Sequence, residues 1–91
     1  MMIEIDNRKF EIIKNERNAF DLEEFERLYT DYFYDYDYIV GDIAYSKLRL
    51  KGFYDDSNKK VKEINNYKNL NEYLQKNCAV DCKYFVIKKQ S

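Results

Sequence analysis

The sequence has no histidine and no tryptophan, and its 91 residues include only two glycines and two cysteines. Without histidine, Ser-His-Asp and Cys-His catalytic arrangements are excluded, as is any His-based metal site. The glycines, Gly41 and Gly52, stand apart, so there is no glycine-rich phosphate loop. No stretch approaches the roughly 18–20 apolar residues that a membrane span needs. The N-terminus meets an acid at Glu4 and carries no long apolar run. Neither export nor membrane insertion is therefore expected, and the expected location is the cytoplasm.

What is present is aromatic and charged. Hydrophobic residues make up 45% of the chain and aromatics 18%, with ten Tyr and six Phe. A chain of this size buries roughly 60–70% of its unfolded surface, enough for one modest core in a single domain over residues 1–91. That core must be built largely from rings, and Tyr can bury its body while keeping its hydroxyl at a wet edge. The net charge of −1 hides a division. Residues 1–45 sum to −7 and residues 46–91 to +6. A uniformly basic nucleic-acid binder is disfavoured, but a basic face is not.

Alternation in Ile3-Glu4-Ile5 and Phe10-Glu11-Ile12, with polar residues between, predicts a β-hairpin over about 2–6 and 9–14. Asp21 suits a helix N-cap, Glu24 stands at the capping-box position, and Phe20 and Phe25 fit a hydrophobic staple. Helical periodicity then predicts a helix over about 22–35. Tyr38–Asp42 reads as a short strand, and Lys47–Phe53 alternates strictly. Residues 59–64 are read as a further short strand. Asn69 is the expected cap of a second helix over about 70–77, and Tyr84–Ile87, apolar on both faces, reads as an inner strand. The expected fold is α+β: a mostly antiparallel sheet with two helices packed on one face, in the order β-β-α-β-β-(β)-α-β.

The segments Tyr36-Asp37-Tyr38-Ile39-Val40-Gly41-Asp42 and Leu48-Arg49-Leu50-Lys51-Gly52-Phe53-Tyr54-Asp55-Asp56 resemble the YutD-like family of small bacterial proteins. The similarity extends over nearly the whole chain, including the N-terminal hairpin, the second helix, the Cys78–Cys82 pair and the final strand. The resemblance implies a cytosolic, stand-alone domain. It supplies no reaction, ligand or catalytic residue to carry over.

The residues themselves point to the central hairpin as the place for a binding site. Lys47, Arg49 and Lys51 form a basic stripe with Phe53 in line, and Tyr45 stands just before it. Cations beside rings can hold an anion or stack a base. The blander account is a solvated strand face whose lysines discourage edge pairing. Asp42 is a further candidate, with turn formation and an Asp42–Arg49 salt bridge as the structural alternative. Asp55 lies toward the opposite end of the hairpin from Asp42, which argues against a paired-carboxylate site. Cys78 and Cys82 offer too few ligands for a zinc site within one chain, so they are expected to be reduced, metal-free packing residues. In the run Asp31–Tyr38, Tyr32, Phe33 and Tyr36 are expected in the core and Tyr34 outside. No cofactor, metal or catalytic residue is expected.

Three function classes follow. The favoured one is a non-catalytic binding or regulatory module acting through a protein or RNA surface. The second is RNA or ribosome association through the basic face of 47–53, with no DNA-binding motif recognised. The third is an enzyme using carboxylate, lysine or tyrosine, which is least favoured because no nucleophile–base pair is visible. The sequence does not specify the oligomeric state.

Overall fold

The computed structural model describes residues 1–77 and 82–90. Five strands form one antiparallel sheet: β1 (Met2–Ile5), β2 (Arg8–Glu16), β3 (Tyr38–Ala44), β4 (Lys47–Phe53) and β5 (Tyr84–Gln90), in the spatial order β1-β2-β5-β3-β4. Two helices, α1 (Leu22–Leu28) and α2 (Leu70–Asn77), cover it. The last strand therefore closes the sheet by inserting between two hairpins. Phe85, Val86 and Ile87 are each 0% exposed, which is what a strand apolar on both faces requires.

The α+β class and the antiparallel sheet hold, but the two helices do not share a face. Alternate residues of β3 and β5 divide between two cores. On one face Ile39, Phe85 and Ile87 pack with Phe10, Phe25 and Tyr29, under α1. On the other, Tyr38, Val40, Phe53 and Val86 pack with Leu70, Tyr73 and Leu74 of α2. A strand apolar on both sides needs cover on both sides, and one helix is available for each.

Both tight hairpins use two-residue turns in the left-handed region. Asp6 and Asn7 have φ of 52° and 66°, and Tyr45 and Ser46 have 53° and 64°. Such turns match the right-handed twist of the flanking strands. Asp-Asn is favourable chemistry there, whereas Tyr-Ser is not.

At the entrance to α1 the sequence reading is met. Asp21 Oδ1 accepts from the Glu23 and Glu24 amides at 3.0 and 3.4 Å, and the Phe20 and Phe25 rings lie 5.9 Å apart. Glu24 does not complete a capping box; it binds Arg27 instead. Asp21→Ala is expected to lower stability by about 0.5–2 kcal/mol. An unchanged urea midpoint would show that the cap contributes nothing.

Three boundaries differ from expectation. The helix predicted over 22–35 ends at Leu28, and Asp31–Asp35 forms a separate 3₁₀ turn after extended Thr30. Tyr29 turns its ring into the core, 5.6 Å from Phe10, and aromatic and β-branched residues sustain a helix poorly. Residues 59–64 form no strand; Glu63–Asn65 makes a 3₁₀ turn, because Asn58 and Asn65 accept from the Lys60 and Lys62 amides. Asn69 does not cap α2. It ends a preceding 3₁₀ turn that Asn66 caps, and its amide group donates to Glu63 O.

Candidate functional site

The β3–β4 hairpin sets the predicted residues in fixed relation. Its register pairs Ala44 with Lys47, Asp42 with Arg49, Val40 with Lys51 and Tyr38 with Phe53. All eight side chains lie on the α2 side of the sheet. The face expected to carry an exposed ring is thus the floor beneath α2. Phe53 is 1% exposed and meets Tyr73 edge-on at 5.5 Å. It is a core residue, because Tyr73 and Leu74 need an apolar floor. Lys51 stretches over both rings, its Nζ 5.1 and 5.6 Å from their centroids.

Asp42 is 2% exposed, and Arg49 neutralises it. Arg49 Nε donates to Oδ1 at 3.2 Å and Nη2 to Oδ2 at 2.7 Å. The same Nη2 donates to Asn77 O at 2.8 Å, so one guanidinium ties the hairpin to the end of α2. The Asp42 hydrogen bond raises the Arg49 pKa above its ordinary value. This is the structural role considered for the pair. Asp55 and Asp56, at the other end, are engaged in their own turn: Asp55 accepts from Ser57 and Asp56 from Asn66.

Tyr45, Lys47 and the outer part of Arg49 remain at the surface, with Lys51 half-buried behind them. Tyr45 is 99% exposed at the tip of the hairpin. Exposed Glu23, Glu24 and Glu26 ride on α1, whereas Lys47, Lys51 and Lys76 lie on the α2 side.

A second cluster was only partly legible. Tyr32 is 66% exposed rather than buried. Tyr34 is not exposed but clamped: Arg8 Cζ lies 3.8 Å and Lys89 Nζ 4.8 Å from its ring centre. Tyr36 lies flat on Gly52, packs at a tilt against Tyr54 with ring centres 4.7 Å apart, and shares a hydrogen bond with the Tyr32 hydroxyl at 2.9 Å. The Tyr54 hydroxyl donates to Asp35 at 2.6 Å, and Lys60 reaches the other oxygen at 2.7 Å. The Tyr32 hydrogen bond, followed by burial, pushes the Tyr36 pKa up to about 12. The bond to Asp35 raises Tyr54 as well.

Both rings hold their protons more tightly folded than unfolded. Their stabilising effect is full below the ordinary tyrosine value of 10.0; the Tyr36 share is lost as pH climbs to about 12, and the Tyr54 share persists to higher pH. Stability is therefore expected to decline across that alkaline window, and Tyr36→Phe to flatten the decline. Denaturant midpoints that stay constant through it would contradict the assignment.

Cys82 is half-buried and disulfide-bonded rather than reduced, which corrects the expectation of a free thiol. Cys78 lies outside the described residues. Among the described residues, no group of three or more Cys, Asp and Glu side chains is gathered as metal ligands, and no helix is long and apolar enough to cross a membrane.

A protein-family model described as "Putative antitoxin YutD-like" matches residues 4–88. The chain belongs to this YutD-like family. It is 44% identical over 88 residues to the Bacillus subtilis protein named "Putative antitoxin YutD", covering 97% of each chain. It also superposes on the solution NMR structure of yutD from B. subtilis with a TM-score of 0.83 and 43% identity, over 99% of this chain and 82% of that one.

Proposed function

We propose that this protein is a non-catalytic regulatory module of the cytoplasm, with residues 1–91 working as one unit, and that it acts by holding a protein partner at the tip of its central hairpin. The family description supports the first part, since an antitoxin acts upon another molecule rather than turning over a substrate. One observation carries the second part. Tyr45 is 99% exposed at the turn, in a left-handed backbone with φ of 53°. That conformation costs roughly 1–2 kcal/mol for a residue with a Cβ. A tyrosine is a poor choice for the turn and a good anchor for an interface. The Arg49 clamp fixes the base of the hairpin, so the ring is presented without a large ordering cost.

The double change Tyr45→Asn with Ser46→Gly tests this. Asn-Gly is the preferred pair for such a turn, so stability is expected to rise by about 1 kcal/mol. Capture of a stoichiometric protein from the native lysate is expected to fall with it. Nuclease treatment supplies the other arm. RNA that co-purifies and is lost on nuclease, with no protein retained, would transfer the reading to nucleic acid, for which Lys47 beside Tyr45 is the specific feature. Capture that survives the substitution would remove the hairpin tip.

A further inference from the structure

We propose that the outer edge of β4 accepts an extended segment of a protein partner as a sixth strand, and that this segment carries carboxylates at alternate positions; the inference rests on the central hairpin being the partner-binding element.

The backbone makes the first half of the case. Among the described residues, β4 is the last strand of the sheet and pairs along its length with β3 alone. A two-residue turn makes Ala44 and Lys47 the closing hydrogen-bonded pair. Lys47, Arg49 and Lys51 therefore turn their peptide groups toward β3, and Leu48, Leu50 and Gly52 turn theirs outward. Tyr54 continues the outward series and shows what the edge can do. Its amide donates to Asn65 O at 2.7 Å and its carbonyl accepts from the Tyr67 amide at 2.9 Å. The chain thus pairs a piece of itself against this edge, in a parallel bridge between Tyr54 and Asn66. The pairing stops there. Among the described residues, no further segment bonds to Leu48 or Leu50 from outside.

The side chains select the occupant. On one side of the ribbon stand Lys47, Arg49 and Lys51. Arg49 is committed to Asp42 and Asn77, whereas among the described residues Lys47 and Lys51 enter no ion pair. An added strand would place every second residue beside them, and opposite charges across strands are favourable. On the other side Leu48 and Leu50 are half-buried and would be covered by apolar neighbours. The matching segment alternates acidic and apolar residues. A second copy of β4 is the wrong partner, because antiparallel pairing would set lysine against lysine. A groove of about 400 Å³ lies along α2, lined by Glu63, Ile64, Glu72 and Lys76 together with Tyr73 and Asn77, the residues that Lys51 and Arg49 touch. This mode of recognition draws affinity from main-chain hydrogen bonds and specificity from alternate side chains.

The test is an amide-resolved NMR titration of the full chain with a short capped peptide alternating Glu and Val. The amides of Leu48 and Leu50 are expected to shift and to gain protection from exchange. The Glu-Val peptide is expected to bind at least about tenfold more tightly than its Lys-Val counterpart. Lys47→Glu with Lys51→Glu is expected to reverse that preference. N-methylation of the peptide's central amides is expected to abolish binding. Equal binding by the methylated peptide would reduce the effect to charge and overturn strand addition. So would shifts confined to β1, or tighter binding of oligouridylate to the same amides. Peptide binding at β4 alongside lysate capture indifferent to Tyr45 would keep the edge and remove the hairpin tip. Tyr45-dependent capture with unmoved Leu48 and Leu50 amides would do the reverse.

Discussion

Gly41→Ala is expected to destabilise the fold by about 3 kcal/mol, at the top of the range for overpacking a core. Gly41 lies on β3 opposite Phe85 of β5, and the Phe85 ring folds over it. A methyl group there would come within 2.7 Å or less of three atoms of that ring. The ring cannot retreat. Phe85 is 0% exposed and touches Phe20 and Phe25 edge-on at 5.1 and 6.1 Å. Moving it would displace the residues that seat α1. Gly52→Ala makes a useful comparison, because the crowding is similar but the neighbour differs. There the methyl would meet Tyr36 at 2.6 Å or less. Tyr36 is only half-buried and can swing toward water, so the cost is expected to be smaller. Urea midpoints of the two variants give the comparison. The double change Gly41→Ala with Phe85→Leu should cost less than the sum of its parts, since the smaller side chain clears the methyl. Strict additivity would show that the ring is not what makes glycine necessary.

The glycines mark the limit of what could be read without coordinates. Their number and positions were visible. Which rings approach depends on β5 inserting between β2 and β3, a long-range pairing with no local signature. Locally determined features were legible: the Asp21 cap and Phe20–Phe25 staple, both hairpins, α2 over 70–77, and β5 as an inner strand. Features set by distant partners were not. The 22–35 periodicity was real, but the Tyr29 ring and the Arg8–Asp31 ion pair, 2.6 Å long, break the helix in its middle. The placement of α2 opposite α1 was available in principle. Tyr38-Ile39-Val40 and Phe85-Val86-Ile87 are apolar at consecutive positions, and such strands cannot leave either face in water. Following that rule through would have buried Phe53 with Tyr38 and taken it out of the surface site. Of the six residues singled out at the hairpin, Asp42 and Phe53 are interior, Arg49 is anchored to one of them, and Tyr45, Lys47 and Lys51 keep groups toward solvent or a groove.

The clamp at Asp42 carries the other large expected effect. Arg49→Met should cost about 3 kcal/mol, because it leaves a carboxylate that is 2% exposed without its cation. The figure sits at the low end of the range for breaking a buried pair, since Arg49 itself is 46% exposed and water can reach the vacated side. Asp42→Asn should cost less. The amide keeps the shape and an oxygen for Arg49, and Arg49 still holds Asn77 O. Changing both residues should recover much of the loss seen with Arg49→Met, because the stranded charge is gone. The coupling energy from this cycle is the deciding number. A value near zero would mean that Arg49 acts mainly through Asn77 and the end of α2. A coupling of several times thermal energy would fix the pair as the pin of the hairpin. That outcome bears directly on function. A pinned Arg49 is spoken for, so its charge cannot be spent on a partner, and charge-reversal tests of this surface belong at Lys47 and Lys51, where a change of sign leaves the pin in place.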